Sequence, residues 1–434
     1  MAALGTKTRV CVIGAGPGGI TTLRALQAHL DENLFQVVCF ERYDRIGGIW
    51  NFRAKEGVEE DGLEVHSGMY YSLISNGPKE AQEIPDHLFP LSDPDLTGYH
   101  SFPDRVYYLK YFNEYVEKYG LAKYIRFNSW VDWVKYDSAS GKFEVTSRDL
   151  KAKETRDKEP FDYVIVATGH FNYPNMISFP GQDSFTGQII HSKQFLDANR
   201  FKGKRIVTVG SSYSAEDMAL QAVKSGAERV SMSHRTRPID TRSWPEGIDQ
   251  KAYIKEMEGS TVRFMDGTEG EYDVIILCTG YLIKFPFLDS DIRLECSNRM
   301  APPLYMQIVH PRNPKVFYIG MQDQFYSFPM FWLHGHFSAK VIKGDITIPP
   351  EEERFQEISE SQKEEATLKT KEDSMYFQNR HVNEISRLTG QVSIDASNVW
   401  IDWLANRRND ITAYKQKTHK SVHRDENGVP KQSR

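Results

Sequence analysis

The sequence predicts a mixed α/β protein that contains two dinucleotide-binding, Rossmann-like domains. Its apolar, β-branched runs are typical of strands buried on both faces of a parallel sheet, and each run is followed by a turn. Two of these turns, at Gly14 and Gly210, lie 196 residues apart and each opens a helical pattern, which indicates a duplicated strand–turn–helix unit. A chain of 434 residues also favours two or three lobes over a single core. The runs are RVCVIGAG, FQVVCFE, DYVIVATG, RIVTVGSS, YDVIILCTG and KVFYIGMQ.

The first turn, in VCVIGAGPGGI, carries glycines in the GxGxxG register. Gly14 permits the tight turn, Gly16 lets the backbone approach a pyrophosphate, and Gly19 allows close packing of helix on strand; Gly18 lies in the same turn. Glu41 ends the next strand, where a carboxylate can accept hydrogen bonds from both ribose hydroxyls and would repel a 2′-phosphate. The pair predicts a dinucleotide without a 2′-phosphate, either FAD or NAD.

The motifs that follow carry a resemblance to a known family. RIGGIWN places Gly47, Gly48 and Trp50 shortly after Glu41, as in the FAD site of flavin-containing monooxygenases. FTGQIIHSKQF, at 185–195, matches that family's identifying pattern FxGxxxHxxx(F/Y) at every fixed position. ATGH and LCTGY are similar to its linker motifs, so the matches extend from Gly14 to about Phe331.

The resemblance implies FAD and NADPH as cofactors and an NADPH-binding domain inserted into the FAD-binding domain. The expected boundaries are 1–171 for the first part of the FAD domain, 172–284 for the NADPH domain, and 285–434 for the second FAD part with a helical C-terminal region. The expected FAD contacts are Gly14, Gly16, Gly18, Gly19, Glu41, Gly48, Ile49, Trp50, His66, Val131, Gln324 and Ser327. For His66, a structural histidine is the alternative.

The second turn, GSSYSAED, keeps Gly210 but has serine and alanine where further glycines are usual. From its residues alone it is a degraded nucleotide site, an unrelated corner, or a working second site. It resembles the NADPH turn of the trimethylamine-monooxygenase-like branch, in which serine replaces glycine and a hydroxyl can donate to phosphate. Ser211, Ser212 and Ser214 are therefore expected at NADPH, with Arg235 on its 2′-phosphate. A surface ion pair is the alternative role of Arg235.

Asn76, in SNGPKE, matches the active-site asparagine of the same family and is the expected catalytic residue, in contact with NADPH as well. A neutral amide can both donate and accept hydrogen bonds beside flavin and substrate. On sequence grounds alone, the favoured role of Asn76 is that of a turn residue before Gly77 and Pro78. The resemblance also implies that Ile74 and Lys415 contact NADPH.

The resemblance implies a monooxygenase in which a hydroperoxide at flavin C4a transfers oxygen to a soft nucleophile, a tertiary amine or a sulfide. The trimethylamine enzymes carry tryptophan at the position of Ile74, and its loss enlarges the space beside the reaction centre. This difference favours a pyrrolizidine alkaloid N-oxygenase of the senecionine type. The alternatives are a trimethylamine monooxygenase, a broad xenobiotic amine or sulfide oxygenase, and a non-catalytic flavin-binding scaffold.

Composition and charge exclude other classes of partner. The net charge of −5 argues against nucleic acid and anionic membranes. The chain has no signal-peptide core or run of about 20 apolar residues, which predicts a soluble, cytoplasmic protein. His334 and His336 lack the acidic or cysteine partners of a metal site, so no metal is expected. A homodimer is expected from relatives.

Overall fold

The computed structural model describes residues 7–93, 100–155, 158–294, 296, 302–322 and 325–431. Two parallel sheets dominate it, joined by smaller antiparallel sheets and flanked by helices. The predicted mixed α/β fold class is confirmed. The strands are β1 (Thr8–Ile13), β2 (Phe35–Phe40), β3 (Ile125–Arg126), β4 (Ser129–Asp137), β5 (Lys142–Asp149), β6 (Glu154–Thr155), β7 (Glu159–Phe161), β8 (Tyr163–Val166), β9 (Tyr173–Pro174), β10 (Gln188–His191), β11 (Arg205–Val209), β12 (Arg229–Ser233), β13 (Ile248–Lys251), β14 (Ile254–Glu258), β15 (Thr261–Phe264), β16 (Glu269–Glu271), β17 (Val274–Leu277), β18 (Tyr281–Leu282) and β19 (Val316–Tyr318).

Helices cover the sheets and build the C-terminal region. The charged composition after residue 350 forms two of them, α5 and α6, which bury Ile358 and Met375, Val382 and Ile385, respectively. The helices are α1 (Pro17–His29), α2 (Arg105–Tyr119), α3 (Tyr213–Lys224), α4 (Ser327–Lys343), α5 (Glu351–Glu365), α6 (Lys371–Thr389) and α7 (Ser397–Asn409).

The first parallel sheet has the strand order β19-β8-β1-β2-β3. Its β1 pairs in parallel register with β2 and with β8, and the four residues from Val10 to Ile13 are fully or almost fully buried. Such all-apolar strands belong in the centre of a parallel sheet, because helices cover both faces. The glycine turn after β1 is thereby placed at the carboxyl edge of the sheet, where ligands of open α/β folds bind.

The second parallel sheet has the order β10-β17-β11-β12-β13, and its strands all lie between residues 188 and 277. The first sheet draws its strands from both sides of this segment. The core continues across both sheets into the C-terminal helices, in which Trp400 and Trp403 are almost fully buried. The C-terminal region is therefore packed onto the body of the protein.

Candidate active site

The turn after β1 is too crowded for any residue but glycine at two positions. Gly14 has a φ of +99°, and a Cβ there would lie 2.7 Å from the carbonyl oxygen of Ala167. A Cβ on Gly19 would lie 1.9 Å from the carbonyl oxygen of Gly14. α1 begins at Pro17, so this close packing brings the N-terminal end of α1 against the turn and fits a pyrophosphate group.

Glu41 directly follows β2 and lies at the carboxyl edge of the first sheet, beside the glycine turn. It is 5% exposed, its Oε2 accepts a hydrogen bond from the Ala15 N–H at 2.7 Å, and its Oε1 accepts one from the Tyr43 N–H at 2.9 Å. Burial raises the pKa of Glu41, and the backbone N–H groups of Tyr43 and Ala15 oppose that rise. These bonds fix the carboxylate beside the glycine turn, where its remaining lone pairs suit ribose hydroxyls.

A cavity runs from the glycine turn along the carboxyl edge of the first sheet. Most of the residues predicted to contact FAD lie around it, although they come from five separate stretches of the chain. Gly19 does not line it, since it packs beneath the turn, and Gln324 lies outside the described residues. The predicted residues that line the cavity are Gly14, Gly16, Gly18, Glu41, Gly48, Ile49, Trp50, His66, Val131 and Ser327.

Two histidines of the cavity wall are uncharged at neutral pH. Burial, together with the nearby charges of Arg42 and Lys193, lowers the pKa of His66 to about 4. Burial also lowers the pKa of His170 to about 4. The Nδ1 atom of His170 is buried and has no hydrogen-bond partner among the described residues, which leaves it available to a bound molecule.

An aromatic cluster forms the wall of the cavity at Trp50. The ring of Trp50 lies 4.5 Å from that of Tyr108 and 5.9 Å from that of Phe328, which in turn lies 5.0 Å from Phe112. This wall keeps water from one side of the cavity. Sequence reasoning missed several lining residues, although each adjoins a predicted position or ends a motif. Arg42 follows Glu41, His170 ends the ATGH motif, Trp130 precedes Val131 and Phe328 follows Ser327.

The second turn has the same construction as the first. Gly210 has a φ of +139°, and a Cβ there would lie 2.5 Å from the carbonyl oxygen of Cys278. Ser211, Ser212 and Ser214 are exposed around the start of α3, so their hydroxyl groups are accessible. Arg235, two residues beyond β12, is exposed and makes no ion pair with any described residue, so its guanidinium group is accessible as well.

Asn76 is the exposed residue of a loop whose neighbours are fixed. Ser75 is buried, its N–H donates to the carbonyl of Pro103 at 2.9 Å, and its hydroxyl donates to the carbonyl of Gly77 at 2.9 Å. A Cβ on Gly77 would lie 2.5 Å from the ring of Trp400. The side chain of Asn76 thus projects from a rigid turn rather than from a mobile loop.

The same segment connects the cavity with α3. It starts at His66, which lines the cavity, and at Ile74 its carbonyl lies 3.4 Å from the Lys415 ammonium. Lys415 also lies 3.4 Å from Oδ1 of Asp217, in α3. Ile74 and Lys415 are therefore brought together next to the serine turn, although 341 residues separate them in the chain.

His334 and His336 bond to other histidines. Nε2 of His334 lies 3.0 Å from Nε2 of His381, and Nδ1 of His336 lies 2.8 Å from Nε2 of His29. Within the described ranges, no group of three or more histidine, cysteine, aspartate or glutamate residues could hold a metal ion. None of the described helices combines the length and the apolar character that crossing a bilayer requires.

Comparison with known proteins places these features in one family. The flavin-binding monooxygenase-like family model matches residues 7–249 and 246–404. A trimethylamine monooxygenase of Methylocella silvestris is 39% identical over 421 residues, which cover 96% of this chain and 92% of that protein. The crystal structure of Tmm from a Pelagibacter species superposes with a TM-score of 0.88 at 36% identity, covering 96% of this chain and 94% of that one. Senecionine N-oxygenase of Tyria jacobaeae is 28% identical over 351 residues, 80% of this chain and 74% of that protein.

Proposed function

Because the chain belongs to the flavin-binding monooxygenase-like family, we propose that it N-oxygenates small tertiary amines of the trimethylamine type. The chain is an FAD- and NADPH-dependent monooxygenase, as the resemblance implied. Its similarity to trimethylamine monooxygenases spans 96% of its length at 39% identity, whereas the senecionine enzyme matches 80% at 28%. The senecionine-type substrate expected from Ile74 is therefore less well supported than its trimethylamine alternative.

The chemistry that FAD and NADPH supply when bound is the delivery of two electrons to O₂, so that one oxygen atom becomes water and the other is transferred. The overall reaction is tertiary amine + O₂ + NADPH + H⁺ giving amine N-oxide, NADP⁺ and water. The protein contributes binding, orientation and exclusion of water. Glu41 and the Gly14 turn would hold the ribose and pyrophosphate of FAD, while Ser211, Ser212 and Ser214 would hold NADPH.

One observation carries this proposal: the segment from His66 to Asn76 lies between the FAD-type cavity and the NADPH-type helix. His66 lines the cavity, and the Ile74 carbonyl reaches Lys415 beside α3. The exposed Asn76 amide at the end of this segment can donate to an oxygen atom and accept from a neighbouring group. His66 itself is neutral in this part of the cavity wall, because burial beside Arg42 and Lys193 lowers its pKa to about 4.

The first test is the Asn76→Ala variant. We expect it to retain bound FAD and to oxidise NADPH, but to release hydrogen peroxide instead of N-oxide, because the amide that orients oxygen and amine is gone. Asn33→Ala, at an exposed position between β1 and β2, is the matched control and should behave as the parent protein. Full N-oxide yield from Asn76→Ala would contradict the role of this residue.

The second test compares substrates under identical conditions. Trimethylamine, a senecionine-type alkaloid and a dialkyl sulfide are each supplied with NADPH and air, and product is quantified by mass spectrometry. We expect kcat/KM for trimethylamine to exceed that for the alkaloid by about tenfold or more, a difference of about 1.4 kcal/mol in transition-state binding. A higher kcat/KM for the alkaloid would contradict the proposal and support the bulky amine that Ile74 suggested.

A further inference from the structure

Two consecutive acidic residues of α3 are buried against the C-terminal region. Glu216 is 2% exposed and pairs with Arg407 of α7, whose Nε donates to Glu216 Oε1 at 3.1 Å. Asp217 is 8% exposed and pairs with Lys415, which follows α7 in a short 3₁₀ turn. Buried carboxylates require such partners, since an unpaired charge in the protein interior is strongly unfavourable.

Asp217 is also held by the segment that carries Asn76. Oδ2 of Asp217 accepts a hydrogen bond from the Tyr70 hydroxyl, and burial beside Asp217 raises the pKa of Tyr70 well above its usual range, so that this hydroxyl stays protonated. Lys415 bonds to both Asp217 and the Ile74 carbonyl. Asp217 therefore contacts the segment at Tyr70 directly and at Ile74 through Lys415.

The geometry assigns Asp217, with Tyr70 and Lys415, the role of a brace that positions the Asn76 segment against the coenzyme helix α3. The effect of the brace on catalysis rests on the proposed function, in which the brace would keep Asn76 at a constant distance from NADPH. The brace differs from the expectation that Lys415 contacts NADPH directly: a direct ligand would matter only when the coenzyme is bound, whereas a brace orders the segment in its absence.

The brace also balances charge at the coenzyme turn. Glu216 and Asp217 are the fourth and fifth residues of α3, so two buried negative charges lie within about two turns of the site proposed for the phosphates. Alone they would repel an anionic coenzyme. Arg407 and Lys415 compensate them, and loss of the Lys415 ammonium should therefore weaken NADP⁺ binding as well as loosen the segment.

Hydrogen exchange in the FAD-loaded, NADP⁺-free protein tests the inference. The reporters are two amides of the segment, Leu73 N–H, which donates to the Tyr70 carbonyl, and Ser75 N–H, which donates to the Pro103 carbonyl. Tyr70→Phe keeps the ring and removes only the hydroxyl, and Lys415→Met keeps the side-chain length and removes the charge. We expect both variants to exchange these amides about tenfold faster, the factor that corresponds to about 1.4 kcal/mol of lost local stability.

Lys417→Met is the matched control, because Lys417 pairs with Asp402 on the surface and both side chains are more than 40% exposed. It should leave exchange of the segment and NADP⁺ affinity unchanged. For Lys415→Met, titration calorimetry should give an NADP⁺ dissociation constant raised about tenfold or more. Both readouts need no substrate, so they are independent of whether trimethylamine is the acceptor.

The brace would be overturned if the amides of the segment exchanged at the parent rate in both variants. If NADP⁺ binding were nevertheless weaker in Lys415→Met, Lys415 would be a direct coenzyme ligand instead. Should Lys415→Met fail to fold, Tyr70→Phe still decides, since it changes no charge and leaves the aromatic ring in the core. With trimethylamine present, both variants should also divert NADPH oxidation from N-oxide to hydrogen peroxide.

Discussion

Arg407→Met is expected to lower the free energy of unfolding by about 3–5 kcal/mol. The side chains of Arg407 and Glu216 are 6% and 3% exposed, so the substitution leaves a buried carboxylate without its cation. Removing both charges, in Arg407→Met with Glu216→Met, should recover most of this loss, because two apolar side chains of similar length can fill the site. The expected double variant is within about 1 kcal/mol of the parent protein.

Urea denaturation of the FAD-loaded protein, followed by tryptophan fluorescence, measures these values for the two single variants, the double variant and a control. The adjacent Arg408→Met is that control: Arg408 pairs with Glu372 at 2.7 Å but is 43% exposed, so its loss should cost no more than about 1 kcal/mol. The reasoning about this buried pair would be refuted if Arg407→Met lowered the free energy of unfolding no more than Arg408→Met does. It would also be refuted if the double variant lost as much free energy of unfolding as the two single variants together.

Three further predictions follow from the same contacts. Gly19→Ala should abolish FAD retention, because the added Cβ would lie 1.9 Å from the Gly14 carbonyl oxygen. The flavin absorbance of the purified protein measures this, and FAD at the parent level would contradict the tight packing at this turn. Ile74→Trp should lower kcat/KM for bulky alkaloids more than for trimethylamine, because the indole narrows the space beside Asn76, and an equal loss for both would show that Ile74 does not limit substrate size. The free energy of unfolding should fall as the pH drops from about 6.5 towards 4, by up to about 1.4 kcal/mol per pH unit for each of the buried His191 and His423, whose pKa burial lowers to about 4. These histidines are neutral in the folded protein and take up a proton on unfolding, so urea midpoints that do not change between pH 7 and 5 would contradict the assignment.

The sequence predicts a ligand-binding feature best where the residues that form it lie close together in the chain. The Gly14 turn, Glu41 and Trp50 lie within 37 consecutive residues, and the patterns that identify them reflect steric and hydrogen-bonding demands within that stretch. The cavity wall was less predictable, since Trp130 and Phe328 reach it through β4 and α4, and only their neighbours Val131 and Ser327 were predicted.

Contacts between distant segments were not predictable. Tyr70 and Asp217 are 147 residues apart, and each reads in sequence as an ordinary residue of its own segment. The resemblance implied that Lys415 contacts NADPH, but it gave no sign that Lys415 also bonds to Asp217 and to the Ile74 carbonyl. Pairing of this kind depends on how α3 and the C-terminal region pack together, which no local pattern encodes.

The substrate that one position favours differs from the substrate that the whole chain favours. Ile74 in place of tryptophan favoured a bulky alkaloid, because a single side chain beside the reaction centre alters the available space. Similarity to trimethylamine monooxygenases over 96% of the chain favours a small amine instead. In the proposal, similarity over the whole chain outweighs one substitution.

The most direct test of monooxygenation is isotope transfer. The FAD-loaded protein is supplied with NADPH, trimethylamine and ¹⁸O₂, and the product is analysed by mass spectrometry while NADPH consumption is recorded. The proposed reaction predicts an N-oxide that carries one ¹⁸O atom, formed in about equal amount to the NADPH consumed. An unlabelled N-oxide, or NADPH oxidation that yields only hydrogen peroxide with every amine and sulfide supplied, would contradict it.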